Sequence, residues 1–313
     1  MTVRIVTDST SDIPSELAQE LDITIVPVYV NMQGKSYRDR IEISPETVYQ
    51  NMIENEIPIT TSQPTPNDFA ETYKNVLKEA DEIVSIQCST HISGLYQSAL
   101  QGRDLAQGKG RIEVVDSTMT SIGLGVVAIV AARLAKSGAS LSSVLDEARK
   151  TIAHMHIWGV FNTLKYALRG GRLSKITSKL GSMLSVKPML TIKEGVLRPT
   201  GIVRTRAKGM EKIFENILKY KNIHDIGIVH SNAPEDAQKL RAKLSAIVDE
   251  NRIYLAPLGP AVGVHGGPGA LVVAINASET PMNAAEDAIE KSRLHMPHLP
   301  SFRSPKLNMA PSS

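Results

Sequence analysis

Hydroxyl side chains, glycines and one histidine gather where short apolar runs end. Thr60, Thr61, Ser62 and Thr65 lie in TTSQPTP, residues 60–66, which reads as a loop stiffened by Pro64 and Pro66. Thr65 has an ordinary use: with Pro66 at the first helical position and Asp68 beyond it, Thr65 suits an N-cap. Pro64 holds Gln63 extended. Thr61 and Ser62 are left as hydrogen-bond donors without a structural task. In STHISGLYQSA, residues 89–99, Ser93 and Gly94 fall where a helix begins, and free backbone N–H groups there attract anions. TDSTSD (7–12) and DSTMTS (116–121) end two further strands, which is where open parallel sheets bind ligands. A turn with Ser11 or Asp12 as N-cap explains the first equally well. GPAVGVHGGPG, residues 259–269, reads as a loop dense enough in glycine that backbone must pass close to something. His265 within it reads either as a surface residue or as a donor to a bound anion.

These residues offer hydrogen-bond donation, not proton transfer. The chain has no adjacent acid–base pair, no G-x-S-x-G elbow and no G-x-x-x-x-G-K-[ST] phosphate loop. GLGVVA (123–128) matches a dinucleotide fingerprint, but DSTMTSI separates it from the preceding strand, so Gly123 and Gly125 belong inside a helix as packing residues. The eight histidines are scattered; His154 and His156 share a strand face with no third ligand, and no metal is expected. Cys88, in IVSIQC, reads as a buried inert thiol.

The elements that must position these groups alternate over residues 1–156: β-branched runs such as VRIVT, ITIVPVYVNM, EIVSIQ and IEVVD between helical stretches. That pattern predicts an N-terminal α/β/α domain on a parallel sheet. Residues 121–135 are apolar nearly all round, which predicts a buried helix. Over residues 157–285 the pattern becomes a mixed α+β domain with an antiparallel sheet, including a hairpin about Glu194-Gly195. Residues 286–313 read as a helical or loose tail rich in Pro, Ser and His. A net charge of +3 with 4% aromatic residues argues against a nucleic-acid binder. The single cysteine excludes an intrachain disulfide and points to a reducing compartment. MTVRIVTDST opens as a strand without a signal-peptide core, and the apolar stretch 121–135 is too short for a bilayer and carries Arg133. A cytoplasmic protein without a transmembrane segment is the expectation. Two basic clusters, Arg169–Arg172–Lys175 and Arg204–Arg206–Lys208, read either as a solvated face or as a contact surface.

VTDSTSDIP, IPITTSQPTP, STHISGLYQSA, VVDSTMTSIGLG, LRGGRLS, KPMLTIKEG and HGGPGALVV, in that order over about residues 3–275, resemble the DegV family. The resemblance implies two domains with one long-chain fatty acid (palmitate, stearate or oleate, for example) between them, and no other cofactor. It implies a lipid carrier rather than an enzyme, one that holds the acyl carboxylate for a separate fatty acid kinase feeding phospholipid synthesis, with transient membrane contact. Carried onto this chain, the carboxylate site is Thr61, Ser62, Ser93 with the Gly94 backbone, and His265. Arg172 and Arg204, with Arg206 as a substitute, would meet the kinase or the transferred phosphate. The tail beyond Ala277 does not match the family. The competing expectation is an enzyme acting on a phosphorylated or nucleotide small molecule, and a third is a regulator with an incidental lipid.

Overall fold

In the computed structural model, residues 1–55, 57–106, 110–173 and 186–278 are described; Lys175 and the expected tail at 286–313 lie outside them. Four strands, β1 (Val3–Asp8), β2 (Thr24–Val26), β6 (Glu82–Gln87) and β7 (Arg111–Asp116), form a wholly parallel sheet ordered β2-β1-β6-β7. The connections after β1 and before β7 run to opposite sides, so the topological switch point lies at the carboxyl ends of β1 and β6.

ITIVPVYVNM, expected as one strand, is two. Pro27 offers no N–H to a ladder and breaks the run. Val28 N–H then donates to Ser9 Oγ at 3.0 Å, and β3 (Tyr29–Met32) departs into a separate sheet ordered β4-β3-β5, with β4 (Lys35–Arg38) and β5 (Ile59–Ser62). The hydroxyl-rich segment read as a loop is therefore partly a strand, β5. With α2 (Pro45–Glu54) this sheet encloses its own small core of Val30, Met32, Tyr49 and Met52, closed by Val264.

The second domain is a six-stranded sheet ordered β10-β9-β8-β13-β11-β12, antiparallel except for β11–β12. Its strands are β8 (Met155–Val160), β9 (Lys187–Lys193), β10 (Val196–Val203), β11 (Ile223–His230), β12 (Ile253–Pro257) and β13 (Leu271–Ala277). The hairpin turn at Glu194 and Gly195, with φ of 52° and 75°, is as expected. One face packs on α8 (Arg206–Ile217) and α9 (Pro234–Leu244). Residues 260–266, read as a glycine-rich loop, are a short helix, α10 (Pro260–Gly266), with Pro260 in its first turn. The small residues let this helix lie against α2: a Cβ at Gly263 would overlap the Tyr49 hydroxyl.

The other face of the second sheet meets α5 (Ile122–Lys136), whose opposite side lies on β1 and β6. A helix between two sheets has no solvent face, which explains its all-round apolar sequence. Gly123 and Gly125 lie inside it, and a Cβ at Gly125 would overlap the Ser11 carbonyl. Both ends of α5 are tied by buried carboxylates. Ser121 Oγ donates to Asp12 Oδ2 at 2.7 Å, while Asp12 Oδ1 also accepts from Gly259 N at 2.7 Å and Arg40 Nη2 at 2.9 Å. At the far end Arg133 pairs with Asp225 at 3.4 Å and with the Tyr254 hydroxyl.

Asp12→Ala would strand the Arg40 guanidinium and the Gly259 N–H. Breaking a buried pair costs roughly 3–5 kcal/mol, so urea unfolding followed by circular dichroism should show that loss for Asp12→Ala and a smaller one for Asp12→Asn.

Candidate ligand-binding cavity

A cavity of about 360 Å³ opens at the carboxyl ends of β1 and β6, between the parallel sheet and the inner face of the second sheet. Ligand pockets typically span about 300–1,000 Å³. Strands β8, β9 and β13 supply Ile157, Gly159, Leu190, Ile192 and Val272; Val28, Leu258 and Val262 face them. A Cβ at Gly159 would sit 2.8 Å from Phe161 Cζ, so only glycine leaves that ring its place. Three hydroxyl-bearing residues of the wall already donate to the protein. Thr10 Oγ1 donates to Asp8 at 2.5 Å, Ser121 Oγ to Asp12, and Thr191 Oγ1 to the Ile157 carbonyl at 2.6 Å. Cys88 also lines the wall; burial pushes its thiol up to about 12, which leaves it protonated and unreactive.

The uncommitted donors gather at the mouth. Thr61 points from β5 toward α10, where its Oγ1 lies 2.8 Å from His265 Nε2. Burial, aided by the Arg172 charge, lowers the His265 pKa from 6.5 to about 4, so the imidazole is neutral at physiological pH. A neutral ring carries one N–H. Nδ1 is buried beside Gly170 without a partner among the described residues, which assigns the proton to Nε2, because an unpaired lone pair costs less than an unpaired donor. Nε2–H then donates to Thr61, and the Thr61 hydroxyl proton is free to donate onward. Ser93 stands one turn from Ser89, its N–H donating to the Ser89 carbonyl at 3.0 Å. Its hydroxyl makes no hydrogen bond among the described residues. Gly94 opens α4 (Leu95–Ala106), its carbonyl accepting from Ser98 N at 3.0 Å. The first N–H groups of that helix lie beside the mouth, unpaired as at any helix start.

Ser62 also rims the cavity, but strand alternation turns its side chain away from Thr61. Its Oγ accepts from Asn31 Nδ2 at 3.2 Å on the exposed face of the small sheet. Of the two hydroxyls singled out in TTSQPTP, Thr61 is the one committed to His265. Thr65 caps α3 (Pro66–Val76) as expected, with a reciprocal box to Asp68. Among the arginines, Arg172 is exposed at the mouth and Arg204 lies apart from it, exposed beside Lys208. Arg206, the substitute contact in the sequence reading, is held differently from its neighbours. Its Nε pairs with Asp236 and its Nη1 donates to the Gly269 carbonyl, both in the second domain, while its buried Nη2 has no partner among the described residues. Sequence reasoning gave Gln63 no role beyond being held extended by Pro64, yet the structure puts it in the cavity rim.

Among the described residues no group of His, Cys, Asp and Glu could hold a metal ion, and no helix is long and apolar enough to cross a membrane. The fingerprint glycines lie within α5 rather than in a strand-to-helix turn, so they offer no pyrophosphate cradle.

A model of the DegV family, described as uncharacterised proteins, matches residues 2–278. The chain is 36% identical over 272 residues to a DegV domain-containing protein of Caldanaerobacter subterraneus subsp. tengcongensis, covering 86% of this chain and 96% of that relative. Solved structures share its fold, among them two at 30% identity or more. One, described as fatty acid binding of a DegV family protein from Thermus thermophilus, superposes with a TM-score of 0.81 at 33% identity, over 88% of this chain and 100% of that one. The other, DegV from Bacillus subtilis, is described as a fatty acid binding protein; its TM-score is 0.79 at 30% identity, over 88% and 99% of the two chains.

The His265 shift has a stability consequence. Its folded pKa lies below the ordinary value, so the unfolded chain binds the extra proton between pH 6.5 and about 4. Stability from this group is complete above pH 6.5 and declines as pH falls toward 4, by roughly 3 kcal/mol in all. Asp8 and Asp39, raised by burial to about 6 and about 7, act with the opposite sign: their contribution is present at low pH and lost as pH rises through those values. Comparing unfolding free energies of wild type and His265→Asn from pH 7 to 4 isolates the histidine; the variant should show the shallower acid-side decline.

Proposed function

The chain belongs to the DegV family, and on that footing we propose that its cavity holds one long-chain fatty acid, tail inward and carboxylate at the mouth. The observation that carries this reading is the division of polar groups in the cavity. The wall hydroxyls of Thr10, Ser121 and Thr191 are consumed by protein acceptors, whereas those of Thr61 and Ser93 remain to donate at one end. Each methylene buried contributes about 0.8 kcal/mol, so an aliphatic wall suffices for the tail. The carboxylate is the costly part, since an unpaired buried charge loses several kcal/mol of hydration. Charge-assisted hydrogen bonds from the two hydroxyls offset that loss, and Arg172 lies close enough to His265 to add favourable potential at the rim. The Thermus and Bacillus relatives described as fatty acid binding proteins lend support.

The finer part of the proposal concerns what happens to the carboxylate. Ser62, Gln63 and Arg172 leave the mouth exposed, so a separate kinase could reach a carboxylate held there. It would move the terminal phosphoryl group of ATP onto a carboxylate oxygen, giving an acyl phosphate and ADP. In this reading the chain binds and presents its ligand and supplies no catalytic group. Arg172 and Arg204 make no ion pair among the described residues and are the contacts offered to such a partner.

Delipidated protein titrated with palmitate and oleate should bind one equivalent with micromolar affinity or better. Ser93→Ala and Thr61→Val should each weaken binding by about 1–3 kcal/mol. No binding of either acid, with a thermal shift by ATP, NAD or a sugar phosphate instead, would favour an enzyme on a phosphorylated substrate. Arg204→Glu should keep the fatty acid affinity of wild type and slow acyl phosphate formation by an added bacterial fatty acid kinase; unchanged turnover would remove Arg204 from that contact.

A further inference from the structure

Thr61 and Ser93 come from different elements, and nothing in either local structure fixes one relative to the other. Thr61 sits on β5 of the small sheet, and Ser93 sits in the turn before α4. The two segments meet through Gln63. Its Nε2 donates to Ser98 Oγ at 2.9 Å, and Ser98 is buried. The carboxamide also lies directly on Gly94: an added Cβ there would overlap Oε1 and come within 2.9 Å of both Cδ and Nε2. The far end of a glutamine could normally swing aside, but here the Ser98 bond anchors it.

The same face of α4 continues the seam. Gly94, Ser98 and Gly102 are spaced four residues apart and share one helical stripe. A Cβ at Gly102 would overlap Phe69 Cβ and lie 2.8 Å from the Pro66 carbonyl. Residues 63–69 therefore run along a track of small residues on α4, with Gln63 over its first turn and the α3 start over its third. This track sets the register between the chain leaving Thr61 and the helix entered through Ser93.

We propose that Gln63 is a positioning residue for carboxylate recognition: its carboxamide, bonded to Ser98 and seated on Gly94, holds the strand carrying Thr61 against the turn carrying Ser93, so that both hydroxyls converge on one carboxylate. The assignment rests on the fatty acid reading above and adds a residue that donates nothing to the ligand itself. It also gives Gly94 a reason to lack a side chain: space for that carboxamide.

The test compares palmitate with hexadecanol, which shares the tail but lacks the charged head. A merely structural role for Gln63 would weaken both ligands alike. A positioning role weakens the acid and leaves the alcohol nearly unchanged, so in Gln63→Ala the acid-to-alcohol affinity ratio should fall about tenfold, the equivalent of one charge-assisted hydrogen bond. Gln63→Met, which keeps bulk but loses the Ser98 bond, should fall in the same direction and guards against a folding defect in the alanine variant. Gly94→Ala alone should lower the ratio, and Gly94→Ala with Gln63→Ala should be no worse than Gln63→Ala, because the clash is gone. An unchanged ratio in both Gln63 variants, or additive losses in the double variant, overturns the positioning role. If wild type binds neither ligand, the fatty acid reading fails instead, and the two failures are told apart.

Discussion

Asp12 is wholly buried, and three other parts of the chain meet on its carboxylate: Arg40 from the loop between β4 and α2, Ser121 at the head of α5 and Gly259 at the head of α10. Desolvation raises its pKa, opposed by the Arg40 charge and by the hydrogen bonds from Ser121 and Gly259. A carboxylate in that position is tolerable only while all its partners stay in place, so it couples the placement of three structural units. Asp225 does the same at the other end of α5 through Arg133, Tyr254, Arg252 and Asn276. With both ends of the central helix tied, the two sheets cannot slide past each other, and the gap between them keeps its shape.

That gap is where the ligand is proposed to sit. Its polar economy follows from the low dielectric around it. A buried cation would hold a carboxylate strongly but would be a burden in the empty protein. The mouth instead uses neutral donors, with the charge of Arg172 outside at the rim. His265 fits the same logic: burial keeps it uncharged, and its single N–H fixes which way the Thr61 hydroxyl faces. Carrying the donors on the small sheet and on α4, rather than on the clamped pair of sheets, leaves their spacing to be set by local packing such as that of Gln63.

Much of this was legible from residue types. The alternation of apolar runs and helices gave the parallel sheet, the all-round apolar helix gave α5, and Glu194-Gly195 gave its hairpin. Thr61 and Ser62 stood out because their hydroxyls had no structural use, whereas Ser93, Gly94 and His265, each with an ordinary structural reading, were singled out by the family resemblance. What sequence could not supply came from tertiary context. Pro27 splits one apolar run between two sheets, which hid β5 in a segment read as loop. A one-residue register decides that Thr61 faces His265 while Ser62 faces Asn31, and periodicity alone does not say which side is buried. Glycines at 263 and 266 read as loop because helix propensity is low there, whereas close packing against Tyr49 favours a helix of small residues. Arg206 looked like its neighbours until folding put Asp236 beside it.

The central claim is that neutral hydroxyls at one end of an apolar cavity hold a fatty acid carboxylate. Palmitate labelled with carbon-13 at the carboxyl, and separately at the terminal methyl, tests it most directly by NMR of the complex. The account predicts one bound carboxyl resonance, displaced from that of the free acid, which moves in Thr61→Val and Ser93→Ala while the bound methyl resonance stays put. A carboxyl resonance indifferent to both substitutions, or a methyl resonance that moves instead, would contradict it.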